Sequence, residues 1–243
     1  MEVIEGAEIV DLGLHLTEQK ILVVSDFHLG YEEALSNRGI MIPRHQLKDT
    51  KERLQAIFDK LQTKKKKLKT IVVSGDLKHE FGSINRQEWL DIFEILDLMS
   101  KNCEEIVLLK GNHDPVLQPI ANKKNLKVQN HLCVGDFAIL HGDQIPVDPD
   151  VLEKSVFVMG HEHPAIKLTD EFVSEKVKCF LKGKWHNKTI IVIPSFNLVT
   201  EGTDVASETL LSPFLQGSLS DFEVWAIPEI DKPLYFGRLR NLA

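Results

Sequence analysis

Three short apolar runs separated by two helical stretches set the architecture of the first half of this chain. Ile21-Leu22-Val23-Val24, Ile71-Val72-Val73 and Ile106-Val107-Leu108-Leu109 have the length and β-branched content of buried strands. Between the first two, apolar residues from Leu47 through Leu54, Ile57, Phe58 and Leu61 recur at helical spacing. Between the second and third, Trp89, Ile92, Phe93, Leu96 and Met99 form another stripe, preceded by Asn85 and Glu88 in a capping-box pattern. The Trp and Met of that stripe read as core. Strand–helix–strand–helix–strand implies a parallel sheet with right-handed crossovers. The second half is different. Phe137–Leu140, Val156–Met159, Val177–Leu181, Ile190–Ile193 and Phe222–Ile227 read as short strands joined by turns with little room for helix. That change predicts an α/β chain of two sheets packed face to face, in a single domain over residues 1–243. Outside Phe222–Ile227, the tail from Ser212, with Pro213, Gly217 and Pro228, says little.

The residues just past each apolar run are more informative than the runs themselves. Five strand ends carry polar signatures: Asp26-Phe27-His28, Gly75-Asp76, Gly111-Asn112-His113-Asp114, His141-Gly142-Asp143 and Gly160-His161-Glu162-His163. Singly, each has an ordinary explanation, because Asp, Asn and Gly crowd turns and a lone histidine is often a satisfied core residue. His161-x-His163 on one strand would place both imidazoles on one face. Five of the ten histidines fall inside these short motifs. In α/β proteins ligands sit at the carboxyl ends of strands, so one sheet edge would gather these side chains into one pocket. Oxygen and nitrogen donors without thiolate suit Mn, Fe, Zn or Co. Seven such ligands exceed the needs of one ion and fit two, about 3.5–4 Å apart with a shared carboxylate.

Composition removes several classes of function. The net charge of −7 argues against bulk attraction to nucleic acid or anionic lipid. The basic run Lys64–Lys67 with Lys69 follows a helical pattern and reads as a solvated helix end. No apolar stretch approaches the roughly 20 residues of a membrane span. Met1-Glu2-Val3-Ile4-Glu5 lacks the basic start of a secretory signal. Three cysteines, Cys103, Cys133 and Cys179, share no close spacing and suggest neither disulfides nor a zinc finger. The expectation is a cytoplasmic protein of undetermined oligomeric state.

Taken together, Asp26-x-His28, Gly75-Asp76, Gly111-Asn112-His113-Asp114, His141 and Gly160-His161-x-His163 resemble the motif set of the calcineurin-like metallophosphoesterases. The resemblance implies two mixed β-sheets flanked by helices. It implies that Asp26, His28 and His163 hold one metal, that Asn112, His141 and His161 hold a second, and that Asp76 bridges them. The ions would be manganese first, with iron, zinc, nickel or cobalt as alternatives. Asp26-Phe27-His28-Leu29-Gly30, with Gly39-Ile40 and Pro43, is similar to a narrower branch. So are Gly75-Asp76-Leu77-Lys78-His79-Glu80-Phe81 and Pro194-Ser195-Phe196-Asn197. That branch contains archaeal phosphoesterases and a bacterial phosphoesterase associated with a DNA ligase and a DEXH-box helicase. An association with DNA or RNA repair enzymes follows from this resemblance alone.

The expected reaction is attack on phosphorus by a hydroxide shared between the ions. His113 would act as general acid to the leaving oxygen, and Asp114 would orient its imidazole. His79 and Asn197 are candidate substrate contacts. The substrate class implied by the branch is a phosphodiester of nucleotides or nucleic-acid ends, 2′,3′-cyclic phosphates among them. A phosphomonoesterase acting on a small phosphorylated metabolite uses the same core. A metal-bound scaffold without activity is the non-enzymatic alternative.

Overall fold

A computed structural model describes residues 1–63, 68–80, 82, 86–169 and 174–242. The run Lys64–Lys67, Phe81 and the capping position Asn85 lie outside the described residues. The first sheet has seven strands in chain order: β1 (Glu2–Ile4), β2 (Ala7–Val10), β3 (Gly13–Leu16), β4 (Ile21–Val24), β5 (Thr70–Ser74), β6 (Glu105–Leu109) and β7 (Lys127–Gln129). Its first four strands are antiparallel, and β4 to β7 are parallel. The parallel part follows from the helical crossovers read above: α2 (Gln46–Thr63) links β4 to β5, and α3 (Arg86–Ser100) links β5 to β6. Two shorter helices, α1 (Tyr31–Asn37) and α4 (Gln118–Lys124), follow β4 and β6.

The second sheet has nine strands and is also mixed. At its centre β9 (Phe137–Leu140), β10 (Val156–Met159) and β13 (Lys188–Val192) run parallel. The helix α5 (Pro149–Leu152) lies between the first two. Beside β9 is β8 (His131–Val134), antiparallel to it. On the other side stand β11 (Pro164–Thr169), β12 (Ser174–Trp185), β14 (Thr203–Asp204), β15 (Glu223–Ala226) and β16 (Leu234–Arg238).

Alternation along the second sheet explains how it makes two cores. Val158 of β10 packs with the first sheet, whereas Phe157 and Met159 join a separate cluster on the outer face. Phe180 and Trp225 face inward in the same way, between Cys179 and Leu181 and between Val224 and Ala226. The outer cluster is closed by Phe214, Leu215, Leu219, Phe222 and Leu239, so the tail of which the sequence says little covers an apolar sheet face. Burying each such large side chain stabilises by about 1.5–3 kcal/mol. Between the sheets, Phe27 and Phe196 stack with ring centroids 4.8 Å apart. Among the described residues no helix is long and apolar enough to cross a membrane, and all three cysteines are free thiols.

Candidate metal centre

Five parallel strands deliver their carboxyl ends to one place. Asp26 follows β4, Asp76 follows β5, Asn112 and His113 follow β6, His141 follows β9, and His161 and His163 follow β10. Hydrogen bonds through Ser74 join the two sheets at this point and tie β4 to β5. Ser74 Oγ donates to the Leu140 carbonyl at 2.7 Å, Ser25 Oγ donates to the Ser74 carbonyl at 2.8 Å, and His141 Nδ1 donates to that same carbonyl at 3.0 Å.

The side chains form two clusters that meet at Asp76. In one, Nε2 of His28 and Nε2 of His163 face each other at 3.2 Å, and Asp26 Oδ1 lies 3.5 Å from the latter. In the other, His141 Nε2 lies 3.0 Å from Asn112 Oδ1 and 3.2 Å from His161 Nδ1. Asp76 Oδ2 stands between them, 3.6 Å from His28 Nε2 and 3.5 Å from His141 Nε2. Asp26, His28 and His163, and likewise Asp76, His141 and His161, could each hold a cation.

Charge and hydrogen bonding show that these donors fit metal ions. Asp26 Oδ1 is buried and has no hydrogen-bond donor among the described residues, a costly state for a carboxylate unless a cation faces it. Burial works against the charge of Asp26, yet His163, His141 and His28 hold its carboxyl below the ordinary carboxylate range. Asp76 is also buried and also lowered, chiefly by His141. Burial alone would depress the His141 imidazole, but Asp76 and Asp26 hold its proton up to about 10. His28 has no such surplus of anions; burial and then His163 push it down to about 3. The two carboxylates thus draw positive charge into a buried pocket, and a divalent ion supplies it without a proton.

The backbone accepts strain to build this arrangement. Asp26, His28, Asp76, His161 and His163 all have φ between 46° and 66°, the left-handed region that costs a side chain energy. Glycines permit the close approach. A Cβ on Gly111 would lie 2.1 Å from Asp76 Oδ1, and one on Gly160 would lie 1.9 Å from Ser25 Oγ. The positive φ values also correct one sequence expectation. His161 and His163 lie on a bend after β10 rather than on one strand, and their imidazoles join different clusters. Between them Glu162 turns inward, and its Oε2 accepts the Leu211 and Ser212 N–H groups at 2.9 and 2.8 Å.

Two further expectations change with the geometry. Asp114 does not orient His113. Its buried carboxylate accepts the main-chain N–H groups of Leu77, Gly111 and Lys78, and burial followed by repulsion from Asp76 pushes its pKa up to about 7. His113 Nδ1 instead donates to the His79 carbonyl at 2.5 Å. Asn197 borders the cleft, but it is buried and its Oδ1 is committed to Gln46 Nε2 at 3.2 Å and Val199 N at 3.1 Å. It builds the wall rather than reaching into the space. His79 does border the open cleft, beside His28 and Tyr31. Its Nδ1 faces His28 Nδ1 at 3.4 Å, and burial pushes its pKa down to about 4. Two supporting residues escape sequence reasoning: Gln46 belongs to no motif, and Glu162 enters one only as the spacer between two histidines. Both bond to main-chain groups, so spacing carries no signal of either.

A comparison with known families decides the identity. The model of the calcineurin-like phosphoesterase domain matches residues 19–217. The chain belongs to the calcineurin-like phosphoesterase family. Members are metal-dependent phosphoester hydrolases, in keeping with the His and Asp clusters above. Among solved structures the chain is similar to the nuclease MPE of Pseudomonas putida, with a TM-score of 0.62 and 19% identity over 94% of each chain. It is also similar to a Vps29 double mutant of Entamoeba histolytica, with a TM-score of 0.38 and 16% identity over 89% of this chain and 99% of the other.

Proposed function

We propose that this calcineurin-like phosphoesterase is a phosphodiesterase acting on nucleotides or nucleic-acid ends, with two divalent cations at the junction of the sheets. Asp26, His28 and His163 would hold one ion, and Asn112, His141 and His161 the other, with Asp76 shared. The observation that carries this reading is the position of Asp76 Oδ2, about equally far from an imidazole of each cluster, at 3.6 and 3.5 Å. Bound there, two divalent ions acidify water and neutralise charge on the phosphoryl oxygens. Manganese suits this mixture of oxygen and imidazole donors without thiolate.

The protein's own part is proton transfer and orientation. His113 borders the same cleft as His28 and His163. The His79 carbonyl fixes the Nδ1–H tautomer, which leaves Nε2 as the nitrogen that exchanges a proton with the leaving oxygen. The His113 N–H donates to Asp76 Oδ1 at 2.9 Å, tying the acid to the shared carboxylate.

Charge around the cleft favours a diester over a monoester. The one lysine bordering it among the described residues, Lys176, is paired with Glu208, and Glu201 adds a negative charge. A phosphomonoester dianion gains from unpaired cationic side chains, which the described residues bordering the cleft do not include, whereas a diester carries a single charge. The same residues and the net charge of −7 argue against a long basic track for polymeric substrate. The test is hydrolysis of bis-p-nitrophenyl phosphate against p-nitrophenyl phosphate, with Mn²⁺ and with chelator. Preference for the diester that chelator abolishes is the expected result. Preference for the monoester would make the chain a phosphatase, and no turnover of either would favour a scaffold.

A further inference from the structure

The run Gly39-Ile40 with Pro43 has no part in the metal clusters or in proton transfer, yet it leads directly into α2 and its first residue, Gln46. Glu32 Oε1 accepts the N–H groups of His45 and Gln46 at 2.8 and 2.9 Å, which fixes where that helix begins. From there the Gln46 side chain reaches inward and is buried. Its Nε2 lies within hydrogen-bond reach of the Phe27 carbonyl at 3.1 Å, the His28 carbonyl at 3.0 Å and Asn197 Oδ1 at 3.2 Å, and its two N–H groups are shared among the three. All three neighbours are acceptors, so only the amide nitrogen can face them and the orientation is settled by the surroundings.

We propose that Gln46 is a positioning residue for the cation held by Asp26, His28 and His163, acting through the peptide groups of the loop that carries two of those ligands. The inference rests on the assignment of those residues as ligands. Both Asp26 and His28 are in the left-handed region, at φ 55° and 46°, and something must hold the Phe27 peptide between them. On one side the loop is fixed by Asp26 N and His28 N, which donate to the carbonyls of Gly75 and Asp76 at 3.1 and 2.9 Å. On the other side Asn197 N donates to the Asp26 carbonyl at 2.9 Å, and Gln46 holds the remaining two carbonyls. The His28 carbonyl also receives Tyr31 N–H at 3.1 Å, so the Phe27 carbonyl depends on Gln46 more heavily. Because the same amide grips Asn197, it links the first-sheet loop to the loop that ends β13. The cluster of Asn112, His141 and His161 receives no bond from Gln46 and should be indifferent to it.

The experiment is a Mn²⁺ titration of the metal-free full chain by calorimetry, comparing the unmutated protein with Gln46→Glu and Gln46→Leu. Gln46→Glu keeps the shape and removes the donors; Gln46→Leu removes them without adding charge. Loss of a group that orients a metal ligand typically weakens affinity about 10- to 100-fold. One of the two ions should weaken by that factor and the other should keep its affinity. Unchanged affinity for both ions overturns the proposal, and so does equal weakening of both, the mark of a general loss of stability. If neither variant folds, the Gln46 side-chain amide resonances of the unmutated protein decide during a Zn²⁺ titration. They should shift and exchange more slowly as the ion loads, and insensitivity would overturn the proposal. An unmutated chain that binds fewer than two ions would count against the proposed function instead.

Discussion

Replacing Gly111 by alanine tests the placement of Asp76, the carboxylate proposed to be shared by the two ions. The φ of Gly111 lies outside the left-handed region, so alanine strains no dihedral there, and the whole effect is steric. Its methyl group would lie 2.1 Å from Asp76 Oδ1 and 2.5 Å from Asp76 N. Carbon contacts are ordinarily about 3.5–4 Å, so the Asp76 carboxylate must move by more than about 1 Å. The main-chain N–H of His113 is held by that same Oδ1 at 2.9 Å, so the proposed acid moves with it. A displacement of about 1 Å at reacting groups costs on the order of 10²-fold in rate. Overpacking of this kind costs about 1–3 kcal/mol, and each kcal/mol lowers Tm by about 2–4 °C in a chain of this size. The assay is hydrolysis of bis-p-nitrophenyl phosphate at saturating Mn²⁺, beside a thermal melt of the metal-free protein. Gly217→Ala is the control, because a Cβ at that position meets nothing within 4 Å. A Gly111→Ala protein with full activity and unchanged metal affinity would refute the reasoning, because Asp76 would then have no need of its place.

His113→Ala should lower turnover of an unactivated diester by about 10²–10⁴ while both metals still bind. The loss should be much smaller with a p-nitrophenyl leaving group, which departs without a proton; equal losses on the two substrates would remove His113 from the acid role. Asp76→Ala should lower the affinity for both ions, which metal analysis after dialysis would register as fewer than two per chain. Lys178 gives a pH dependence outside the ligand set. Its Nζ donates to Ser195 Oγ at 2.8 Å, and burial followed by the charge of Arg53 pushes its pKa down to about 7 from an ordinary 10.5. Between those values the unfolded chain binds the proton and the folded one does not, so stability falls as pH drops from 10.5 towards 7. Lys178→Met should therefore gain in Tm over the unmutated protein across that window and gain no more below it. A difference that does not vary with pH would contradict this.

The sequence made the centre of the fold legible because its parallel strands are short, continuous and apolar on both faces. Val156–Met159 and Phe137–Leu140 coincide with β10 and β9, and the two helical stripes lie within α2 and α3. The three N-terminal strands are hidden because their pattern is broken by polar residues such as Glu8 and His15, although His15 is buried in the sheet. β12 extends from Ser174 to Trp185, well beyond the apolar run Val177–Leu181. Lys176, Lys182 and Lys184 disguise its ends, each with its ammonium turned to a partner at the rim. At the candidate metal centre the sequence could name the Asp, Asn and His side chains that the strand ends bring together, since each closes a short apolar run. How they are held it could not show. Gln46 and Glu162 act on main-chain atoms far away in the chain, and Asp114 sits beside His113 in sequence while its carboxylate faces other peptides.

Electron paramagnetic resonance of the chain loaded with two equivalents of Mn²⁺ tests the paired centre most directly. Two ions sharing Asp76 should give the spectrum of an exchange-coupled pair, and Asp76→Ala should abolish the coupling. The six-line signal of isolated Mn²⁺ at full loading of the unmutated protein would contradict the account.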